Sequence, residues 1–349
     1  MSSQTNTVTG AANGGGKVPV RSRAPFNYGG QAVIEGVMMR GPHKLATAVR
    51  RPDGTIAMSC QPLVSLRDRY PWLKLPVFRG VIALYESLAF GVQALMFSAN
   101  ESGQEDEELT SGQMGLTVVI SFAIAIGFFM LLPTYLMGLL KSHFGHSTVT
   151  FNLVEGLFRM VILVAYIWGV SRFQDIQRVF AYHGAEHKVI HAHEAGRELT
   201  PANCREYSCL HPRCGTAFLL FVALVSIVLF SLFGWPSLWK RLLTRLLLLP
   251  VVAGLSFEIT QLAAKHVRAP WAVPILWPGL MLQKLTTREP DESMLEVAIE
   301  ALKNAKEGDA EAEGADAKVG DAATAGTAAA DAAAGVNGDL PGPAPVEVN

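Results

Sequence analysis

The stretch LTVVISFAIAIGFFMLLPTYLMGLL (116–140) decides the fold class, because it contains no charged residue from end to end. A helix of this length crosses the ~30 Å hydrocarbon core of a bilayer, and its single proline, Pro133, is tolerated there. Three more stretches are of the same kind: LVEGLFRMVILVAYIWGV (153–170), TAFLLFVALVSIVLFSLFGW (216–235) and LLTRLLLLPVVAGLSFEITQLA (242–263). We therefore predict an α-helical integral membrane protein with about four transmembrane helices.

The overall composition agrees with this prediction. Of the 349 residues, 50% are hydrophobic and 17% are charged, whereas an average soluble domain is about one quarter charged. The formal net charge of −1 provides no basic field, so nucleic acid is not expected as a partner. The expected partner is the lipid bilayer, and binding to other proteins or to a second copy of the chain stays open.

The segments at the two ends differ from the predicted membrane bundle (116–263). Residues 1–26 are rich in Gly, Ser and Thr and lack the apolar core of a signal peptide, and residues 304–349 are rich in Ala, Gly and Asp. Both are predicted to be disordered tails. Residues 264–303 are predicted to hold a proline-broken interfacial segment with two tryptophans, followed by a C-terminal helix.

Two further segments precede the bundle. Residues 27–78 are predicted to form a small β unit, because Pro52-Asp53-Gly54 is a typical turn sequence between two apolar stretches. Residues 79–100 have a helical composition but carry Glu86 and Gln93. This helix either crosses the membrane or lies in its interface as an amphipathic helix, and we favour the interface.

Basic residues in the loops orient the bundle. The loop 171–213 and the regions outside the first and last spans are rich in Lys and Arg, and the other two loops carry few. The positive-inside rule therefore places this loop and both termini in the cytoplasm, in a multi-pass protein of the plasma (inner) membrane. A crossing at 79–100 would invert this assignment. The reducing cytoplasm also disfavours a disulfide among the clustered cysteines.

The loop 171–213 and the residue after it contain the chemistry. His183 and His187 are four residues apart and Glu186 precedes the second histidine, which is the H-x-x-E-H pattern of two zinc ligands and a general base. A third ligand is available from His211 or Cys214. Further candidates are His191, His193, Glu194, Cys204 and Cys209. Glu194 lies ~16 Å from His183 on a straight helix, so these two cannot share an ion. The alternatives are a solvated polar loop and, for Cys214, a small buried apolar side chain.

Ionisable residues within the predicted spans are a second, weaker signal. Glu155 and Arg159 are four residues apart, which indicates an ion pair within one helix. Glu258 has no partner nearby in sequence before Lys265. It is open whether Glu258 is a metal ligand, a transport residue or a group at the helix end that reaches the interface.

Four motifs, in order, resemble the YqhQ family of bacterial membrane proteins over roughly 27–303. The motifs are GGQAVIEGVMMRGP (29–42), AYHGAEHKVIHAHE (181–194), LHPRCGTAFLL (210–220) and PGLMLQKLTTREPDESMLEVAIEAL (278–302). This family is a domain of unknown function that carries the label of a predicted metal-dependent enzyme. The resemblance implies a plasma-membrane protein with a site at His183, Glu186, His187, Lys188, His211, Arg213 and Cys214. The first motif adds Gln31, Glu35, Gly36 and Arg40, whereas Cys204 and Cys209 lie outside the motifs.

Three functions are compatible with these residues. The first is a metal-dependent hydrolase in which a divalent metal, with zinc favoured, is held by His183, His187 and either His211 or Cys214, and Glu186 acts as base. The second is a non-enzymatic scaffold or assembly factor with a structural His/Cys site. The third is an oligomeric channel or transporter that uses Glu155, Arg159 and Glu258. We favour the hydrolase over the scaffold by a small margin.

Overall fold

The computed structural model describes residues 28–103, 111–139, 148–233, 237–267 and 269–307. Over these ranges the chain is mostly helical and carries a small antiparallel sheet near its N-terminal end. The predicted tail 1–26 lies outside the described residues, as does the part of 304–349 beyond residue 307. Residues 304–307 belong to the last described helix, so the predicted C-terminal helix runs four residues past its expected end.

The sheet is a meander whose four strands follow one another in chain order: β1 (Gly29–Val33), β2 (Gly36–Arg40), β3 (Lys44–Arg50) and β4 (Ile56–Pro62). The turn between β3 and β4 is the predicted one. Gly54 has a φ of 86°, which glycine adopts readily, and the Asp53 carboxylate accepts a hydrogen bond from the Thr55 N–H at 2.9 Å. The predicted β unit is thus a four-stranded sheet.

The helices and their bounds are α1 (Leu66–Arg69), α2 (Phe78–Ser102), α3 (Ser111–Ile126), α4 (Leu132–Leu139), α5 (Thr148–Val170), α6 (Gln174–Glu194), α7 (Pro201–Arg205), α8 (Gly215–Ser231), α9 (Leu238–Lys265), α10 (Ala272–Thr286) and α11 (292–307). A π-helical turn, Gly127–Leu131, joins α3 to α4 in one continuous apolar rod. This wider turn lies just before Pro133, where a regular helix would lose a hydrogen bond and clash with the proline ring.

Four helices are long and apolar enough to cross a membrane: Phe78–Ser102, Gly115–Leu139, Val149–Val170 and Trp239–Lys265. The last three coincide with predicted spans. The predicted span 216–235 differs from the structure, because its helix ends at Ser231 and is only 17 residues long. The fourth long apolar helix is instead α2, which was expected in the interface.

The two central strands, β2 and β3, are buried on both faces, which explains why they are mostly apolar along their length. Val37 and Met39 of β2 face a core shared with α6 and α11, whereas Met38 between them faces α2 and packs with Ala94. Successive side chains of a strand point to opposite faces, so both cores draw on the same strand. The sheet, α6 and α11 share one core and together form the unit that carries the candidate site.

Candidate metal centre

Two glycines allow α6 to lie close to its neighbours. A methyl group at Gly30 would overlap the Met38 carbonyl oxygen and press on the Glu186 side chain, and one at Gly184 would overlap the Arg288 carbonyl oxygen. The sheet therefore touches α6 on one side, and the segment after α10 crosses it on another. This close packing buries the histidine-bearing face of the helix.

His183, His187 and Cys214 form the first ligand group. One ligand atom from each residue lies within 4.8 Å of the others, and the Nε2 atom of His183 is 3.2 Å from the Cys214 Sγ atom. The two imidazole rings are 4.4 Å apart, as expected one helical turn apart. Cys214 is the N-cap of α8, where its sulfur accepts a hydrogen bond from the Thr216 N–H.

Backbone carbonyls orient both imidazoles of this group. The Nδ1 atom of His183 lies 2.8 Å from the Thr286 carbonyl oxygen, and the Nδ1 atom of His187 lies 2.5 Å from that of Cys209. A carbonyl can only accept, so both rings carry their proton on Nδ1 and keep the lone pair on Nε2. Histidines that ligate metals are held in this way. Two such imidazoles and a thiolate are a donor set suited to zinc, so the residues present fit the metal that the resemblance implies.

Glu186 stands beside this group with one oxygen anchored. Its Oε1 atom accepts a hydrogen bond from the Gly30 N–H at 2.9 Å, and its Oε2 atom lies 4.0 Å from the His183 Nε2 atom. The carboxylate is buried, with 5% of the residue exposed. The second oxygen is thus presented to the side on which the ligand atoms converge, where a general base or a further ligand would act.

The structure places His211 in a second ligand group, with His191 and Glu194, and not with the first three residues. The His211 ring lies 4.6 Å from the His191 ring and 5.6 Å from the His187 ring, so the two groups adjoin. Burial lowers the pKa of His191 and of His211, which favours their neutral, metal-binding form. Glu194 is therefore close to His191 and His211 but belongs to a different group from His183, as its helical spacing requires.

Lys188 and Arg213, the other residues of these two motifs, make structural contacts. The buried Lys188 ammonium donates to the carbonyl oxygens of Arg205 and Tyr207 at 2.8 and 2.7 Å and pairs with Glu289 at 2.7 Å. It thereby holds the segment that leads to His211 against α6. Arg213 forms an ion pair with Glu194 at the exposed edge of the second ligand group.

The candidates of the N-terminal motif lie away from both ligand groups. Glu35 receives two hydrogen bonds from Arg178, at 2.6 and 2.5 Å, and Arg40 pairs with Glu86 at 2.8 Å. Gln31 packs against Gly91, where a methyl group would overlap its side-chain amide. These residues fasten the sheet to α6 and to α2. The contribution of the motif to the site is the backbone of Gly30, a residue that was not singled out from the sequence.

The ionisable residues of the apolar helices form two separate clusters. Glu155 binds Arg159 at 2.9 Å, as predicted, and also the buried Arg245, at 2.5 and 2.7 Å. Glu258 pairs with Arg79 through both oxygens and accepts a long hydrogen bond from the Val77 N–H at 3.3 Å. Glu258, on α9, therefore binds the residues at the start of α2 and does not contact either ligand group.

All four cysteines carry free thiols. Burial raises the pKa of Cys204 to about 11 and, together with a hydrogen bond to Glu289, raises that of Cys209 to about 12. Neither sulfur belongs to the two ligand groups. Cys209 instead contributes its carbonyl oxygen, which holds His187.

α10 supplies two groups that sequence reasoning missed. Gln283 is fully buried and clamps the backbone of His211, accepting from its N–H and donating to its carbonyl oxygen, both at 2.9 Å. The carbonyl oxygen of Thr286 orients His183. The signal available in the sequence was a glutamine inside an apolar segment, which is rare without a buried partner.

The sheet, the histidine-rich α6 and the other helices define a largely helical protein, four of whose helices are long and apolar enough to cross a membrane. A family described as protein of unknown function (DUF1385) matches residues 75–308. The "Uncharacterized protein YqhQ" of Bacillus subtilis (strain 168) is 38% identical over 300 residues, which cover 81% of this chain and 93% of that protein. The chain therefore belongs to the DUF1385 family, and the resemblance to YqhQ is confirmed. No solved structure matches the chain.

Proposed function

We propose that this protein is a metal-dependent hydrolase of the plasma membrane, with its metal held by His183, His187 and Cys214. The observation that carries the proposal is the pair of imidazoles whose Nδ1 atoms face carbonyl oxygens, while one ligand atom of each ring lies within 4.8 Å of the Cys214 sulfur, the Nε2 atom of His183 at 3.2 Å. Three protein ligands leave an open position, as catalytic zinc sites do.

The length and apolar composition of four helices support membrane insertion, and a parity argument then gives the topology. The sheet touches α6, with Gly30 N–H on Glu186 at 2.9 Å, so the chain between them crosses a membrane an even number of times. Three apolar helices lie in that stretch: α2, the α3–α4 rod and α5. α2 packs along the sheet, because Glu86 pairs with Arg40 at 2.8 Å and Glu101 pairs with Arg51 at 2.6 Å. α2 therefore stays on the same side of the membrane as the sheet.

The same reasoning applies to the second half of the chain. α11 contacts the sheet through the Ser293 carbonyl oxygen, which accepts from Arg50 at 2.8 Å, so α6 and α11 lie on one side. α8 and α9 then cross as a pair, with the 17 residues of α8 at the lower end of the ~17–25 residues that span a bilayer. The crossing helices become the α3–α4 rod, α5, α8 and α9, with the sheet, both termini and the ligand groups in the cytoplasm.

A reporter scan tests this topology. We expect alkaline phosphatase to be active when it is fused after residue 139, and green fluorescent protein to fluoresce when it is fused at the C-terminus or after residue 103. An active phosphatase fusion after residue 103 would mean that α2 crosses the membrane, and it would refute the proposed arrangement.

Glu186 is the proposed general base. Its anchored Oε1 atom fixes the direction of the carboxylate, and its free Oε2 atom can take a proton from a water molecule and return it to the leaving group. A bound zinc ion would supply Lewis acidity and lower the pKa of water at the site toward ~7. Burial of Glu186 and His187 excludes bulk water from these two side chains, whereas His183 keeps 13% of its side chain exposed.

Metal analysis of the purified full-length protein tests the site. We expect bound zinc in the wild type, and loss of that ion in His183→Ala and Cys214→Ser. Cys204→Ser is the matched control, since Cys204 is buried on the same unit but belongs to neither ligand group. With Co²⁺ in place of zinc, the sulfur-to-cobalt charge-transfer band should disappear in His183→Ala and Cys214→Ser and persist in Cys204→Ser. A folded wild type that contains no metal would refute the proposal.

One observation favours a structural ion in a non-enzymatic scaffold instead. The Glu186 Oε2 atom is near enough to the converging ligand atoms to become a fourth protein ligand, which would close the coordination shell. Glu186→Gln separates the two functions. If Glu186 is a base, the variant should keep its metal affinity and lose the hydrolysis of generic ester, phosphoester and peptide substrates. If Glu186 is a ligand, the variant should bind metal much more weakly, and that result would favour the scaffold.

A further inference from the structure

We propose that His191, Glu194 and His211 bind a second divalent cation, so that the two ligand groups form a two-metal centre for phosphoesters. This inference rests on the proposed function, because it deepens the chemistry of the same site. It starts from the arrangement of the ligands along α6 and along the segment that runs beside this helix.

The two ligand groups are built in the same way. On α6, His183 and His187 are one turn apart, and His191 and Glu194 follow on the next turn. The segment His211-Pro212-Arg213-Cys214 passes alongside and contributes one ligand to each group. The three ligand atoms of the second group lie within 4.8 Å of one another, as do those of the first. Two histidines and a glutamate are a donor set found in zinc hydrolases.

His211 provides an independent sign of a missing ligand. The residue is 4% exposed, and its Nε2 atom has no hydrogen-bond partner among the residues that the structure describes. The nearest carboxylate oxygen, Oε2 of Glu194, is 3.7 Å away, too far for a hydrogen bond. Gln283 clamps the His211 backbone on both sides and so fixes the point from which the imidazole extends. A buried polar atom without a partner calls for an explanation, and a cation between Nε2 and Oε2 provides one.

His191 is oriented for the same ion. Its Nε2 atom lies 3.0 Å from the Leu210 carbonyl oxygen, so the ring proton sits there and the lone pair is on Nδ1. At His211 the Arg213 N–H approaches Nδ1 at 3.3 Å, and a cation on Nε2 would move the ring proton to Nδ1 and open this contact. The contact is long, so its loss removes little of what holds the ring.

The spacing and charge of the two groups point to the substrate. The rings of His187 and His211 are 5.6 Å apart, so the two ligand groups adjoin, as the two sites of phosphatases and nucleases do, whose metals lie ~3.5–4 Å apart. Arg213 pairs with Glu194 at the partly exposed edge and places a positive charge beside the second group, which suits an anionic phosphate substrate. In the reaction, the oxygen of water bonds to phosphorus and the P–O bond to the alcohol breaks. The proton that Glu186 takes from the water passes to the leaving oxygen.

The number of bound metal ions tests the second site. Full-length protein in detergent is stripped with a chelator, loaded with Co²⁺ and desalted. We expect about two equivalents in the wild type, and one fewer in His191→Ala and in the milder Glu194→Gln. Both variants should keep the sulfur-to-cobalt band of the first group. His193→Ala is the matched control, since His193 lies on the same helix and packs on Tyr28, outside both groups.

The outcomes separate this inference from the proposed function. One equivalent in the wild type, lost in His183→Ala but unchanged in His191→Ala, would overturn the second site and leave the first. No bound metal would overturn both. Bis(p-nitrophenyl) phosphate should be hydrolysed by the wild type and at least tenfold more slowly by His191→Ala. Hydrolysis of carboxylic esters alone would overturn the phosphoester assignment.

Discussion

The substitution Glu155→Gln tests how the apolar helices are held together. The Glu155 side chain is 2% exposed and accepts hydrogen bonds from Arg245, from Arg159 and, at 2.8 Å, from Thr134, so it joins α4, α5 and α9. Among the described residues, no other carboxylate pairs with either arginine. The amide would keep the shape of the side chain and leave the buried Arg245 and the partly buried Arg159 without their counter-charge.

The expected loss of stability follows from this burial. Removal of one partner from a buried ion pair destabilises a protein by about 3–5 kcal/mol, because the remaining charge stays desolvated. With a shift of roughly 2–4 °C per kcal/mol for a domain of 150–250 residues, the midpoint of thermal unfolding should fall by about 6–20 °C. Far-UV circular dichroism of the detergent-solubilised protein measures this midpoint.

Glu258→Gln is the matched control. It removes the same charge from the same kind of pair, but Glu258 and Arg79 keep 23% and 36% of their side chains exposed. Exposed pairs contribute about 0–1 kcal/mol, so the midpoint should move by a few degrees at most. The double variant Glu155→Gln/Arg245→Gln should lose less than the sum of its single variants, since it removes one charge of each sign. Equal shifts for Glu155→Gln and Glu258→Gln would refute the argument that burial decides.

Two further predictions concern the unit that carries the ligand groups. Gly30→Ala should lower the free energy of unfolding by about 1–3 kcal/mol, because its methyl group meets a backbone carbonyl that cannot move aside. Gly29→Ala, whose methyl group has nothing within 4 Å, should change this free energy by about 0.5 kcal/mol or less. Equal effects of the two substitutions would contradict the close approach. Iodoacetamide at pH 8 should modify the exposed Cys60 rapidly and the buried Cys204 very slowly. The pKa of Cys204, about 11, leaves roughly one thiolate in a thousand at this pH. Mass spectrometry that finds both cysteines modified at the same rate would contradict the burial of Cys204.

The parts of the fold that depend on residues close to one another in the sequence could be predicted. Uninterrupted apolar stretches determine long helices, and Pro52-Asp53-Gly54 determines the second hairpin, because both effects act over a few residues. The role of α2 depends on distant residues. Glu86 is a polar residue in an apolar helix, and only the fold shows that Arg40 of the sheet neutralises it. Composition alone therefore could not decide between a crossing helix and one that follows the sheet.

The same distinction applies to the candidate site. The pairing of His183 with His187 was predictable, since helical geometry alone sets their distance. The choice between His211 and Cys214 as a further ligand was not. It depends on the path of the segment between α7 and α8, which Lys188 holds at its start and Gln283 holds at His211. Those contacts span up to 72 residues, and no local pattern encodes them.

The four sequence motifs acquire one physical meaning when their contributions are followed to atoms. The first donates the Gly30 N–H that anchors Glu186, and the second supplies α6 with its row of ligands. The third adds His211 and Cys214, one to each ligand group. The fourth adds the Thr286 carbonyl oxygen that sets the tautomer of His183. Each motif thus brings a different backbone or side-chain group to the candidate site, and the proposed metal centre predicts that loss of any one of these groups lowers the metal affinity first.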